Sequence, residues 1–586
     1  MKSKFLHFSL LVTLLLVLVS ATPSWAQAPL EPAQLPSRTT FYLIWRGAPA
    51  ADVRSANSLL ALWDDPDFAP VRSALAASML SSSEQKSSEP KLTPQELGEF
   101  SALLENSFTL GYIGEPPRRH APASAASSGT NPHKWDGMFF VYNRAGKEDL
   151  LAKAILRLRG SEKEVPRLSQ VSIAGVPVLK LERKTNSSYW AENGKYAIGA
   201  GEAAVMEELL NRLASKSAPA TSLAQSAAYQ EALPIVGSGL LEFFLRIPDL
   251  KDFVEDSKAG GFKVRPVLDA VRLDAVHSLS GHVTFEGAKT HVQAAVLGEA
   301  APGTLFDIWA EGKATPASLA LVPATAVSYN AARINLPGIY DTAKRVVRSV
   351  LPQGQQGTAD MLESAAKTRL GMPLSDALSV FTGEFASMQT SPSLDSSKQV
   401  FFLGINKKPE TLRLIRSLLG DQLTSERNEG DVTFLKISLG GNQGSAGVAQ
   451  WRFYHLAVTP DMIIGASRIE TVHEVLANRS SVSAGPSLAS LQQFQERRGS
   501  FPVTVDGLSY FDFQKVDWRA ALDHWAAEAK KAPVAKSAAG SNPTVNTKLP
   551  DWLSQVNPQV LSRHLHTSWS ASWKDANGMH WDQWIE

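Results

Sequence analysis

The sequence has no cysteine. That absence removes disulfides, thiolate nucleophiles, cysteine-ligated metals and cysteine-linked lipid anchors at once. An excess of charge of one sign is missing too, since 58 Lys+Arg stand against 57 Asp+Glu. Nucleic-acid binding relies on a basic stripe that displaces counterions, so a near-neutral chain argues against nucleic acid as a partner. After the first residues no apolar run approaches the roughly 20 residues that a membrane-spanning helix needs.

Catalytic signatures are the fourth absence. Gln443-Gly444-Ser445-Ala446-Gly447 lacks the first glycine of a nucleophile elbow and lies in a glycine-rich loop. Ser83 and Lys86 have S-x-x-K spacing but sit in a serine-rich loop without apolar flanks. His473-Glu474 begins like a zinc-peptidase helix, yet Ala477 stands where the second ligand would be. Gly146-Lys147 has Val141 in place of the first glycine of a phosphate loop. The acidic run Asp64-Asp65-Pro66-Asp67 lacks the spacing and glycine of a calcium loop and suits capping and turns. Paired carboxylates for glycoside hydrolysis have no fixed spacing in sequence, and no pair stands out.

Histidines are the remaining candidates for a metal. His564 and His566 read as alternate residues on one strand face, with His580 on the partner strand. A turn at Asn577-Gly578 sets His580 opposite Asp575, on the order of 30 Å from His566 at strand rise. Three ligands must meet within about 2 Å of one metal. The sequence therefore assigns no catalytic residue, cofactor or metal ligand.

What is present begins with Lys2 and Lys4, an apolar run from Phe5 to Val19, and the small-residue segment Ser24-Trp25-Ala26. This pattern predicts a secretory signal peptide over residues 1–26, cleaved after Ala26 and leaving no transmembrane segment. Losing Lys2 and Lys4 leaves 56 Lys+Arg against 57 Asp+Glu. A proline-rich lead follows at 27–39, and FYLIW from Phe41 reads as the first buried strand.

The chain then says the same thing twice. MFFVYNRAGKEDLLAKAI from Met138 recurs as VFFLGINKKPETLRLI from Val400, an offset of 262. KYAIGAGEAAVMEELL from Lys195 recurs as DMIIGASRIETVHEVL from Asp461, VPVLKL from Val176 as VTFLKI from Val432, and GLLEFF from Gly239 as GLSYFD from Gly507. Near-constant offsets predict two tandem copies of one domain. The unit reads strand, helix, strands, helix, strand, and strands joined by short turns such as Ala174-Gly175 pair antiparallel. The expected class is α+β, helices on antiparallel sheet, each copy closing with a β-hairpin. The expected hairpins run from His282, turning near Glu286-Gly287, and from Ser568, turning near Asn577-Gly578. The copies are expected at 40–300 and 321–586, with a seam at 301–320 and a flexible linker at 526–550. The segments from Ser81 and Glu115 read as mobile loops.

Half of the 14 tryptophans lie at or beyond Trp518. Trp569, Trp573, Trp581 and Trp584 fall on the expected terminal hairpin and are the candidate ligand-binding residues, as a platform for sugar rings or a partner. The competing reading is ordinary packing of large aromatic rings.

LVPATAVSYNAARINLPGIYDTAKRVV from Leu321, LSDALSVFTGEFASM from Leu374 and QVFFLGINKKPETLRLI from Gln399 together resemble uncharacterised exported bacterial proteins with domains of unknown function. The shared pattern is an opening strand after a proline, a helix leading into a T-G-E-type strand, and a strand-helix unit. The resemblance implies no activity and carries over no functional residue. The expectation is a non-enzymatic exported envelope protein, periplasmic or secreted, that binds or scaffolds an envelope protein or glycan through duplicated domains. The alternatives are a hydrolase acting on envelope polymer or glycan, and a carbohydrate-binding protein using its C-terminal tryptophans.

Overall fold

The computed structural model of the chain describes residues 29–72, 98–99, 102–114, 137–153, 167–182, 187–214, 221–237, 239–249, 258–259, 262–310, 312, 315–351, 357–395, 398–438, 455–479, 486–531 and 557–586. Residues 1–26, read as a signal peptide, lie outside these, as do the Ser83/Lys86 and Gln443–Gly447 segments and the loops from Ser81 and Glu115, apart from their edges. Helices and a large antiparallel sheet make the class α+β. The chain divides into two compact units, Met1–Ser257 with Val276–Gly298, and Lys258–Ala275 with Glu299–Glu586.

The first unit contains β1 (Thr39–Trp45), β2 (Phe108–Ile113), β3 (Met138–Asn143), β4 (Arg167–Ile173), β5 (Val176–Glu182), β6 (Ser187–Asn193), β7 (Tyr196–Ala200), β8 (Leu241–Arg246), β9 (Val276–Glu286) and β10 (Lys289–Gly298). All neighbours are antiparallel, in the order β10-β9-β8-β1-β2-β3-β7-β6-β5-β4. Alternation in β1 sends Tyr42 and Ile44 to one face, where they join Phe139, Val141, Ile198 and Phe244 in the core. Helix α1 (Ala203–Ala214) lays Val205, Met206, Leu209 and Leu210 onto that core. Burying each such side chain contributes about 1.5–3 kcal/mol. Helix α2 (Ala227–Ala232), capped by the Ser226 hydroxyl on Tyr229 N, adds Tyr229 and Ala232. The proline-rich lead is part of this fold: Leu30 and Leu35 are fully buried in the same core, and Leu30 is tied through its backbone to the Thr109 hydroxyl.

The second unit contains β11 (Ser328–Arg333), β12 (Phe381–Gln389), β13 (Gln399–Ile405), β14 (Leu423–Glu429), β15 (Val432–Ile437), β16 (His455–Val458), β17 (Met462–Ala466), β18 (Gly507–Asp512), β19 (Thr567–Asp575) and β20 (Gly578–Ile585). Its order is β20-β19-β18-β11-β12-β13-β17-β16-β15-β14, again antiparallel throughout. Helix α3 (Lys408–Leu419) covers one part of the outward face, with Leu412 beside Leu403 and Ile463. Helices α4 (Ile469–Ala477) and α5 (Gln492–Ser500) cover the core face through Val472, Val475 and Phe494.

Small closures accompany each sheet. Pro36 bridges Ser222, with Leu223 N donating to Leu35 O at 2.8 Å; Pro323 bridges Ser487, with Leu488 N donating to Val322 O at 2.8 Å.

Several expectations need correction. Residues 258–275 fall in the span assigned to the first repeat but cluster with the second unit, where Arg345 Nε reaches Ala270 O at 3.2 Å. The strand made by GLSYFD from Gly507 stops at Asp512, whose carboxylate accepts from Gln514 N and turns Phe513–Lys515 into a short 3-10 helix. Helix α6 (Trp518–Lys531) occupies the start of the linker expected at 526–550, and residues 532–550 lie outside the described residues. His564 ends a helix, Pro558–His564, with Pro558 at its first turn and the Asn557 side chain capping it, so it shares no strand face with His566. The last hairpin turns on Ala576-Asn577, setting His580 opposite Trp573 rather than Asp575. The Asp575 carboxylate accepts from Asn577 N at 2.8 Å, a side-chain turn that fixes the loop one residue earlier than an Asn-Gly turn would.

Candidate functional site

Tyr42 and Arg46 stand four residues apart, so alternation puts both on the core side of the central strand of the first unit, Arg46 just past its end. Ile44 lies between them, and its register partner on β8 is Glu242. A carboxylate at that place reaches both neighbours diagonally. Tyr42 Oη donates to Glu242 Oε1, and Arg46 Nη2 lies 3.4 Å from Oε2. Arg46 also grips Glu31 through both terminal nitrogens, Nη2 at 3.0 Å, and donates through Nε to Gly239 O at 3.0 Å. Glu242 is 2% exposed. Burial pushes its carboxyl above the usual range, opposed by the Tyr42 hydrogen bond and the Arg46 charge. The same burial, and then the Glu242 charge, raise the Tyr42 phenol well above its ordinary value.

The second unit repeats the strand residues and changes the partner. Tyr329 and Arg333 lie on β11 in the same relation, 287 positions after Tyr42 and Arg46. The carboxylate comes from the other neighbouring strand: Glu384 on β12 faces Arg333 in register. Its Oε2 accepts from Arg333 Nη2 at 3.2 Å and Ala317 N at 3.0 Å, and its Oε1 from Ser318 N at 2.8 Å. Tyr329 Oη meets Ser318 Oγ at 2.8 Å. Burial lifts the Tyr329 phenol far above its ordinary value.

The T-G-E segment acquires a physical meaning here. Gly383 has φ +80, and a Cβ there would stand 1.9 Å from Ile334 O. Only glycine fits, and the backbone irregularity between Phe381 and Phe385 turns Glu384 toward Arg333. In both units the carboxylate and its partners fasten the segment before the central strand, through Glu31 in one and Ala317-Ser318 in the other. Each carboxylate oxygen is already engaged by these donors, so the groups act as clamps. Sequence reading missed both clamps, although Tyr-x-x-x-Arg in the two opening strands was a usable signal.

The four tryptophans named from sequence do not form one surface. Trp569 is 2% exposed, wedged between Tyr510 at 4.4 Å and Phe494 at 5.3 Å between ring centres, and cannot take a ligand without unpacking the core. Trp573 lies flat on His580, centres 5.3 Å apart and planes 7° apart. Trp584, opposite Trp569 in register, packs partly buried on the same core. Trp581 alone of the four points to the outward face, opposite Ser572, and is half-buried. His580 Nε2 lies 3.1 Å from Asp575 Oδ2, and His473 packs on Phe434. Among the described residues no group of three or more His, Asp or Glu could hold a metal ion, and no helix is long and apolar enough to cross a membrane.

No protein-family model, curated protein or solved structure matches the chain.

Proposed function

We propose that the chain is an exported, non-enzymatic envelope protein, built from two copies of one α+β domain, that binds or scaffolds an envelope protein or glycan. The observation that carries this reading is the correspondence of the two sheets. Each strand from β1 to β10 has the same neighbours as the strand ten places later, and Tyr-x-x-x-Arg recurs in both central strands. The Pro–Ser bridges and the paired closures onto Leu35 and Val322 support the duplication further. Two of the three most buried carboxylates among the described residues, Glu242 and Glu384, serve as clamps, one in each copy, which favours scaffolding over acid–base chemistry.

Two measurements test the reading. Fractionation of cells expressing the full chain, with N-terminal sequencing of the product, is expected to place a chain beginning at Gln27 outside the cytoplasm; an uncleaved cytoplasmic chain would overturn export. Incubating that product with purified envelope polymer is expected to release no fragments above the blank, whereas release abolished by a single carboxylate substitution would establish a hydrolase instead.

A further inference from the structure

The outward faces of the two sheets differ at matching positions. In the second unit one cross-strand row carries Ser387, Asn330, Ser509 and Ser570, on β12, β11, β18 and β19. The positions reached by the same pairings in the first unit are Leu110, Leu43, Phe243 and Gly281. Four apolar positions in one copy are thus four hydroxyl or amide positions in the other. Asn330, on β11 with a paired strand on either side, is exposed, and its three row partners are half-buried. None of the four side chains hydrogen-bonds to another described residue.

The adjoining row has an aromatic ring at each end. Phe385 pairs with Ala332, Ala332 with Gly507, Gly507 with Ser572, and Ser572 with Trp581. Four strand spacings put the two rings about 19 Å apart, with a floor of small residues between them. A Cβ at Gly507 would come 2.4 Å from Ser572 Oγ, so the floor there is as low as the backbone allows. Helix α3 covers the face on the β13 side, where Leu403 packs, and α6 covers the far end, where Phe511 packs near Trp518.

We infer that this strip of the second unit binds a neutral glycan, its hydroxyls on the Asn330–Ser509–Ser570 row and its sugar rings against Trp581 and Phe385. The inference deepens the binding reading above and rests on it. A water-facing sheet is ordinarily polar, so polarity alone decides nothing; the composition does. Neither row holds a charged residue, in a chain that is 20% charged. A charged polymer would shed water here without meeting a counter-charge. An apolar chain would lie over the unpaired hydroxyls and leave them unsatisfied. Hydroxyl and amide groups both donate and accept, which matches sugar hydroxyls, and flat rings take the apolar faces of the sugars. The first unit, with Leu43, Leu110 and Phe243 at the equivalent places, has no such row.

The test uses the exported full chain with chitohexaose, cellohexaose and xylohexaose, followed by calorimetric titration and tryptophan emission. Saturable binding of at least one is expected, weakened tenfold or more in both Ser570→Lys and Trp581→Ala and unchanged in Ser425→Lys on β14. Thermal melting of each variant shows that it is folded, and Asn330→Asp serves as the second floor variant if Ser570→Lys melts early. Absence of binding by all three sugars, undiminished binding by the floor variants, or binding of polygalacturonate or phospholipid vesicles in place of the neutral sugars would each overturn the inference. Product analysis separates the two levels: an intact, unbound sugar counts against this strip, while a cleaved sugar counts against the non-enzymatic reading.

Discussion

Arg333 and Glu384 face each other in register across β11 and β12, 3.2 Å apart and 6% and 3% exposed. A buried ion pair is costly to assemble but far costlier to break on one side, because the survivor is left charged without a partner. Glu384→Ala is therefore expected to destabilise the second unit by about 3–5 kcal/mol. Equilibrium unfolding in urea measures it. The double variant Arg333→Met/Glu384→Leu is expected to recover much of that loss, and no recovery would mean that the Ala317 and Ser318 amides matter more than the arginine.

Gly383→Ala meets a Cβ contact of 1.9 Å with backbone and a φ of +80. Gly430 also has positive φ, +58, but nothing lies near its missing Cβ. The expected outcome is a loss of several kcal/mol at 383 and about 1 kcal/mol at 430, read from paired melting curves. Equal losses at both sites would show that strain, rather than the collision with Ile334, sets the cost.

Glu242 gives the first unit a pH dependence whose sign follows from burial. Its carboxyl is raised above the ordinary 4.5, so between that value and its folded value the folded state holds more proton than the unfolded one. The stability it contributes is complete below about pH 4.5 and falls as pH rises through the folded value. Glu242→Gln is expected to remove this slope, leaving a flatter profile in denaturant titrations from pH 4 to 8. The same slope persisting in Glu242→Gln would assign it to another group.

Trp569 and Trp581 lie on opposite faces of one hairpin and are expected to behave oppositely. Trp569→Ala empties a site between Tyr510 and Phe494 and is expected to cost about 3–5 kcal/mol. Trp581→Ala is expected to stay within about 1 kcal/mol of the parent. Denaturant midpoints separate the two directly.

Periodicity made several of the strands legible. The apolar runs in the repeated blocks from Met138, Lys195 and Asp461 fall in β3, β7 and β17. β14 was missed because Ser425-Glu426-Arg427-Asn428-Glu429 is polar on both faces, so nothing alternates. The Ala576-Asn577 turn was misplaced by one residue because a side-chain bond from Asp575 outweighed the preference of Asn-Gly. The clamps were hidden for a different reason. Glu242 and Glu384 come from strands on opposite sides of the central one, so no single spacing joins them to their arginines, and pairing order had to be known first.

Residues 258–275 depart from the first unit after β8, and the chain returns to it only at Val276 to make β9 and β10. A nascent chain that has emerged only as far as Ser257 thus shows Leu241–Arg246 as a bare strand, because its outer neighbour β9 does not yet exist. Bare strands recruit other chains. The excursion leaves the first sheet unfinished until residues 258–275 have been made, so β8 keeps an open edge over that interval of synthesis.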